Sequence, residues 1–193
     1  MTPAPARNAD RPTPAQRTAA GLRLLLITGV AVGAAGTAGH YLAWPLLTST
    51  LGPTAYMFAA HPDDEASRFR NALVGHSVAI LVGLGALALF GLVHHSSVSA
   101  TGAPDWAQVG AATLAAGLTV MLLELVGSHH APAAATALLI ATGLAKPGAP
   151  LVGLVLGLAI VITLGPSLAH RLVTPGVTGR APGVERAVSA GRS

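Results

Sequence analysis

Four stretches of this chain are each long and apolar enough to cross a bilayer: approximately Leu22 to Tyr41, Ala72 to Val93, Trp106 to Val126, and Pro150 to Arg171. A hydrocarbon core of roughly 30 Å takes about 20 helical residues. Inside it every backbone N–H and C=O must find its partner within the protein, so spanning stretches of this length fold as helices. The fold class that follows is all-α integral membrane. Composition agrees: 52% of the 193 residues are hydrophobic and 9% are charged, against about 25% charged in a soluble domain. Aromatic residues are only 4%, which leaves Ala, Leu, Val, Ile and Gly, the residues that let helices approach closely in lipid.

The chain has no cysteine, which removes disulfides, thiolate metal sites and cysteine nucleophiles together. Its net charge of +4 and pI near 10.7 would suit nucleic acid, but the basic residues gather in the two tails and form no patterned face. Cytoplasmic flanks of membrane helices carry such an excess of Arg and Lys. No nucleic-acid partner, cofactor or metal is expected. Residues 1–20, with Arg7, Arg11, Arg17 and four prolines, read as a disordered basic tail, and residues 172–193 as a second. The apolar run after the first tail exceeds a signal-peptide h-region, so it is read as a retained span.

Two further apolar stretches, Leu46 to Ala60 and Pro132 to Ala145, are too short to be routine spans, since about 14 helical residues reach only about 21 Å. Each follows one long span and precedes another. The transmembrane domain, 21–171, thus divides into two repeats of long helix, short half-helix and long helix, at about 21–95 and 104–171. An offset of 82 pairs Thr54-Ala55 with Thr136-Ala137, and an offset of 78 pairs Leu73-Val74-Gly75 with Leu151-Val152-Gly153. If all six segments cross with the N-terminus inside, Arg68, Arg70 and the basic C-terminal tail lie inside and only Lys146 is misplaced. Four crossings would put Arg68 and Arg70 outside. The positive-inside rule favours six, and three-helix halves of opposite orientation would form an inverted repeat. Both termini are then expected in the cytoplasm, with the protein in a bacterial inner membrane.

The run Ser128-His129-His130-Ala131-Pro132-Ala133-Ala134-Ala135-Thr136-Ala137 resembles the signature of the HPP family of bacterial and plant-organelle membrane proteins, a His-Pro-Pro run followed by Ala-Gly-Ala-Thr-Ala. His130, Pro132, Ala133, Ala135, Thr136 and Ala137 match it, while Ala131 stands for a proline and Ala134 for the glycine. Leu51-Gly52-Pro53-Thr54-Ala55 and Arg70-Asn71-Ala72-Leu73-Val74-Gly75-His76 are also similar to the family. The resemblance covers about residues 22 to 171. It implies a polytopic membrane protein, usually described with four spanning helices, and transport of nitrite in some members.

A helix that begins inside the membrane leaves its first N–H groups unpaired and carries a partial positive charge of about +0.5 there. Pro132 suits a first helical turn, and Gly52-Pro53 offers the same signal in the other half. Two such ends converging on one spot would attract a small anion. Thr54 and Thr136, about a turn into these helices, can donate to that anion or bond back to a carbonyl four residues earlier. His130 fixes the helix start or gates the site by protonation. Consecutive histidines point about 100° apart on a helix, so His129 and His130 are poorly placed to chelate one metal ion.

Glu124, the acidic residue inside a long span, is a proton-coupling candidate by default. It is paired in this reading with His130, or else reaches interfacial water. For His76 a structural hydrogen bond to the short segment competes with a proton-coupling role. Arg70 reads as a headgroup anchor or a vestibule charge. Asp63, Asp64 and Glu65 suit helix capping. The expected function is a transporter or channel for a small inorganic anion, nitrite first, and not an enzyme. A non-transporting subunit and, less supported, an intramembrane enzyme are the alternatives. The small size of the chain suits a homodimer.

Overall fold

The computed structural model describes residues 13–172. These form seven helices and, among the described residues, no strand: α1 (Pro14–Leu42), α2 (Leu51–Ala60), α3 (Phe69–Leu89), α4 (Val98–Thr101), α5 (Trp106–Leu125), α6 (Pro132–Ala141) and α7 (Ala149–Leu172), with a 3-10 turn at Glu65–Ser67. Four of them, α1, α3, α5 and α7, are long and apolar enough to cross a membrane. The short helices α2 and α6 have ten residues each. The protein is an all-helical, multi-pass membrane protein.

One boundary needs correction. Residues 14–20, expected in a disordered tail, are the first turns of α1. Thr13 Oγ1 accepts from the Gln16 N–H (3.3 Å) while Gln16 Oε1 accepts from the Thr13 N–H (2.7 Å), a reciprocal cap that satisfies two donors at once. Pro14, at the first helical position, loses nothing by lacking an N–H. The remainder of both expected tails, 1–12 and 173–193, lies outside the described residues.

Every long helix buries a stripe of small residues, mostly three or four apart: Ala31, Ala35 and Gly39 on α1; Ala72, Gly75, Ala79 and Gly83 on α3; Ala111 and Ala115 on α5; Gly153 and Gly157, then Gly165 and Ala169, on α7. Lipid tails are as apolar as leucine, so burial itself drives no association. Helices are held by the close dispersion contact that small residues permit. The larger side chains, among them Leu25, Leu81, Leu89 and Leu125, stay exposed on the outside, where lipid covers them.

Two sets of contacts define the ends of the bundle. At one end, the turn 61–68 after α2 meets the start of α6: the His130 Nδ1–H donates to the Ala66 carbonyl (2.8 Å), and the Ser128 hydroxyl to that of Asn71 (3.2 Å). At the other, residues 142–146 meet 95–98: the Val98 N–H donates to the Thr142 carbonyl (3.2 Å), and Lys146 Nζ to that of His95 (2.6 Å). The segment holding α6 therefore starts at one end and finishes at the other. The segment holding α2 does the same in reverse. Pro45 and Leu46 lie against Gly153 and Gly157 near the start of α7, and Phe58 lies against Gly165 near its finish. Irregular turns extend each ten-residue helix within the protein. Six segments thus connect the two ends, four as long helices and two as short ones.

The two halves exchange partners. α7 packs on α1 and α2, and α3 packs on α5 and α6, so the third helix of each half completes the other half. Gly153 meets the segment leading into α2, and Gly75 meets His130 and Ala133 at the start of α6. Single cysteines at Asp63 and Thr101, both exposed in a chain without native cysteine, are expected to react with an impermeant maleimide from opposite sides of sealed vesicles. Labelling from one side would refute the crossing of α3.

Candidate functional site

The polar core of the bundle is built around His76. It lies two turns into α3 and is 2% exposed, on the face that α3 turns toward the two short helices. Its Nε2 stands 3.1 Å from Thr54 Oγ1 on α2, and its Nδ1 2.9 Å from Thr136 Oγ1 on α6. Both threonines are fully buried. One ring thus ties the two short helices together. His130 completes the group, with its Nε2 3.2 Å from His76 Nε2. The two rings meet edge to face at 4.9 Å between centroids, and Phe58 stacks on the outer face of His130 at 6.3 Å.

The protons in this network follow from which atoms can only accept. The Ala66 carbonyl accepts, so His130 carries its hydrogen on Nδ1 and its Nε2 is a bare acceptor. His76 then carries its hydrogen on Nε2, shared between His130 Nε2 (3.2 Å) and Thr54 Oγ1 (3.1 Å), and its Nδ1 accepts from the Thr136 hydroxyl. The Thr54 hydroxyl donates to the Thr50 carbonyl (2.8 Å) and offers its oxygen to His76. Each polar atom has a partner with both rings neutral, as burial in a low-dielectric core demands.

Backbone and neighbours fix this arrangement. Gly75 lets the start of α6 lie on α3, since a Cβ there would stand 3.0 Å from that of His130. Asn71 Nδ2 donates to the Glu65 carbonyl (2.8 Å), and the Ser67 hydroxyl to that of Met57 (2.8 Å). These bonds hold the 61–68 turn so that the Ala66 carbonyl faces His130. Beside His130 a cavity of about 260 Å³ opens at this end of the bundle, lined by Glu124, Ser128, His129, His130 and Ala134 among others.

Residues 13–175 match the family model described as HPP, transmembrane region. The chain belongs to the HPP family. No curated protein and no solved structure matches it.

In this HPP protein the motif histidine, His130, is the buried link between the cavity and His76. Pro132 is the first residue of α6 and is buried. Pro53 is the third residue of α2 and is exposed, with Gly52 half-buried beside it. The two helix starts do not converge, contrary to the expectation from their sequence signals. α2 and α6 run in opposite directions, so their starts point to opposite ends of the bundle and their middles meet at His76. The first donors of α6 are also taken, because the Ala133 and Ala134 N–H groups bond to the carbonyls of His130 and Ala131 (3.1 and 3.2 Å).

Glu124 does not reach His130. Helix α5 ends at Leu125 and the chain reverses at Gly127, whose φ of 63° suits glycine. The carboxylate therefore meets His129 (3.5 Å), with both side chains exposed. Arg70 is exposed at the first turn of α3, away from the His76 centre. Among the described residues no group of three or more His, Cys, Asp or Glu side chains is placed to hold a metal. The His76–His130 contact, the Ala66 carbonyl and the Asn71 and Ser128 bonds were not anticipated from sequence. Carbonyl partners leave no trace in side-chain chemistry. The one signal available was that Asn71, His76, Ser128 and His130 are polar residues at the ends of apolar runs.

Proposed function

We propose that this HPP protein carries a small monovalent anion across the membrane, with nitrite as the substrate, and that the anion binds where Thr54, His76, Thr136 and His130 meet. The observation that carries this reading is the convergence of two hydroxyls, one from each short helix, on a single buried ring. The group is rich in donors and contains no carboxylate, so it favours a ligand that accepts hydrogen bonds. Nitrite offers acceptors at both oxygens and is small. The Thr136 hydroxyl, which donates to His76 at rest, is free to swing to a bound anion. The cavity beside His130 gives access from one end, and access from the other follows if the halves rock about His76 as an inverted repeat.

In this reading the end that carries Arg17, Arg68, Arg70 and Arg171 faces the cytoplasm, and the protein is not an enzyme. Uptake of nitrite, nitrate, formate and chloride into proteoliposomes tests it. Nitrite is expected to enter well above the rate in protein-free vesicles. Thr136→Val, which removes a donor to a charged ligand worth about 1.5–3 kcal/mol, is expected to lower uptake roughly 10- to 100-fold. Absence of protein-dependent flux for all four anions would sink the proposal in favour of a non-transporting subunit.

A further inference from the structure

We infer that the His76–His130 pair takes up one proton, and only one, with each anion, so that transport is electroneutral proton symport. The inference rests on the anion-carrier reading above and adds its coupling ion. It comes from counting hydrogens. The two rings have four nitrogens. The Ala66 carbonyl, at 2.8 Å, keeps a hydrogen on His130 Nδ1. At 3.2 Å a single hydrogen fits between the two Nε2 atoms. His76 Nδ1 is left as the one nitrogen that can gain a proton without breaking the arrangement.

A proton arriving at His76 Nδ1 forces a change at Thr136, 2.9 Å away. The hydroxyl oxygen must now accept from the Nδ1–H, and its own hydrogen turns outward. The pair then carries one positive charge and offers a hydroxyl donor that was occupied before. An anion is attracted by both, and by reciprocity the bound anion favours the proton. The positive charge passes between the rings by a shift of the shared hydrogen from one Nε2 to the other, and reaches His130 beside the cavity.

Among the described residues the neighbouring charges are exposed and mostly paired with one another, His61 with Asp64 at 3.4 Å among them. α6 and α7 contribute no ionisable side chain before His170 at the end of α7, and Tyr56 of α2 is exposed. On the 61–68 turn Glu65 pairs with Arg68 at 3.3 Å, and at the cavity Glu124 pairs with His129 at 3.5 Å, all of them exposed. Arg70 is exposed on α3 itself.

Nitrite uptake into proteoliposomes under imposed gradients, with the rate in protein-free vesicles subtracted, tests the count. At one proton per anion, a tenfold nitrite gradient is balanced by an opposing pH difference of about one unit, and a potassium–valinomycin potential leaves the flux unchanged. In His130→Asn, which can bond to Ala66 but shares no proton, the pH-driven component is expected to fall at least about tenfold. Protein-dependent flux that follows the potential and ignores the pH difference would overturn the symport and leave the anion carrier standing. A balance point near half a unit would overturn the single-proton count. No protein-dependent flux would overturn the carrier itself.

Discussion

Replacing His76 with alanine is expected to destabilise the solubilised protein by about 2–6 kcal/mol and to abolish nitrite uptake. The ring bonds to Thr54, Thr136 and His130, none more than 1% exposed. Removing it leaves the Thr136 hydroxyl and His130 Nε2 without a partner, at about 1–3 kcal/mol for each group, and leaves a void between α3 and the two short helices. Thr54 suffers less, because its hydroxyl keeps the Thr50 carbonyl. Coupling energies between polar pairs in membrane proteins average only about 0.6 kcal/mol. That figure is the interaction left after the effects of both single changes are subtracted, whereas a single truncation also strands the survivor. A double-mutant cycle separates the two: His76→Ala with Thr136→Val is expected to be less destabilised than the sum of the single variants. Thermal unfolding in detergent reads this directly. Additive losses would show that the hydrogen bonds across His76 do not hold the short helices.

The second large effect is expected at Gly157. A methyl group there would overlap the Leu46 carbonyl oxygen, and one at Gly153 would stand 2.6 Å from that of Pro45. Both obstacles are backbone, so no rotamer change relieves them. The chain at 45–46 would have to leave α7 and carry the start of α2 with it. Overpacking of this kind costs about 1–3 kcal/mol per site, and Gly153→Ala with Gly157→Ala is expected to give little monodisperse protein. Gly85→Ala on α3 is the control. Nothing lies within 4 Å of its Cβ position, and alanine gains up to about 1 kcal/mol over glycine inside a helix. If the α7 double variant is as stable as the control, the close approach of 45–46 to α7 is wrong.

The positions of the elements were largely legible. Short helices were anticipated at 46–60 and 132–145 and stand at Leu51–Ala60 and Pro132–Ala141. The start of α1 was not, because Pro14 and Arg17 suggested a tail by composition while the Thr13–Gln16 cap acts through local geometry. Within the site, the repeat offset singled out Thr54 and Thr136, and the structure places both on one ring. The pairing of Glu124 with His130 assumed that helical spacing continued past Leu125. Gly127 ends it and turns the carboxylate toward His129.

Hydropathy, read along the chain, determined by itself that this protein lies in a membrane, that it is helical and which segments are too short to span as single helices. The reason is that lipid offers the backbone no hydrogen bonds, so any apolar run of sufficient length has one solution. Which side chains meet was decided only by the tertiary structure. Opposite directions of α2 and α6 send their starts apart and bring their middles together. A glycine on each third helix sets how deeply the other half enters. The result is a buried histidine shared between two threonines, and no one-dimensional pattern encodes that distance.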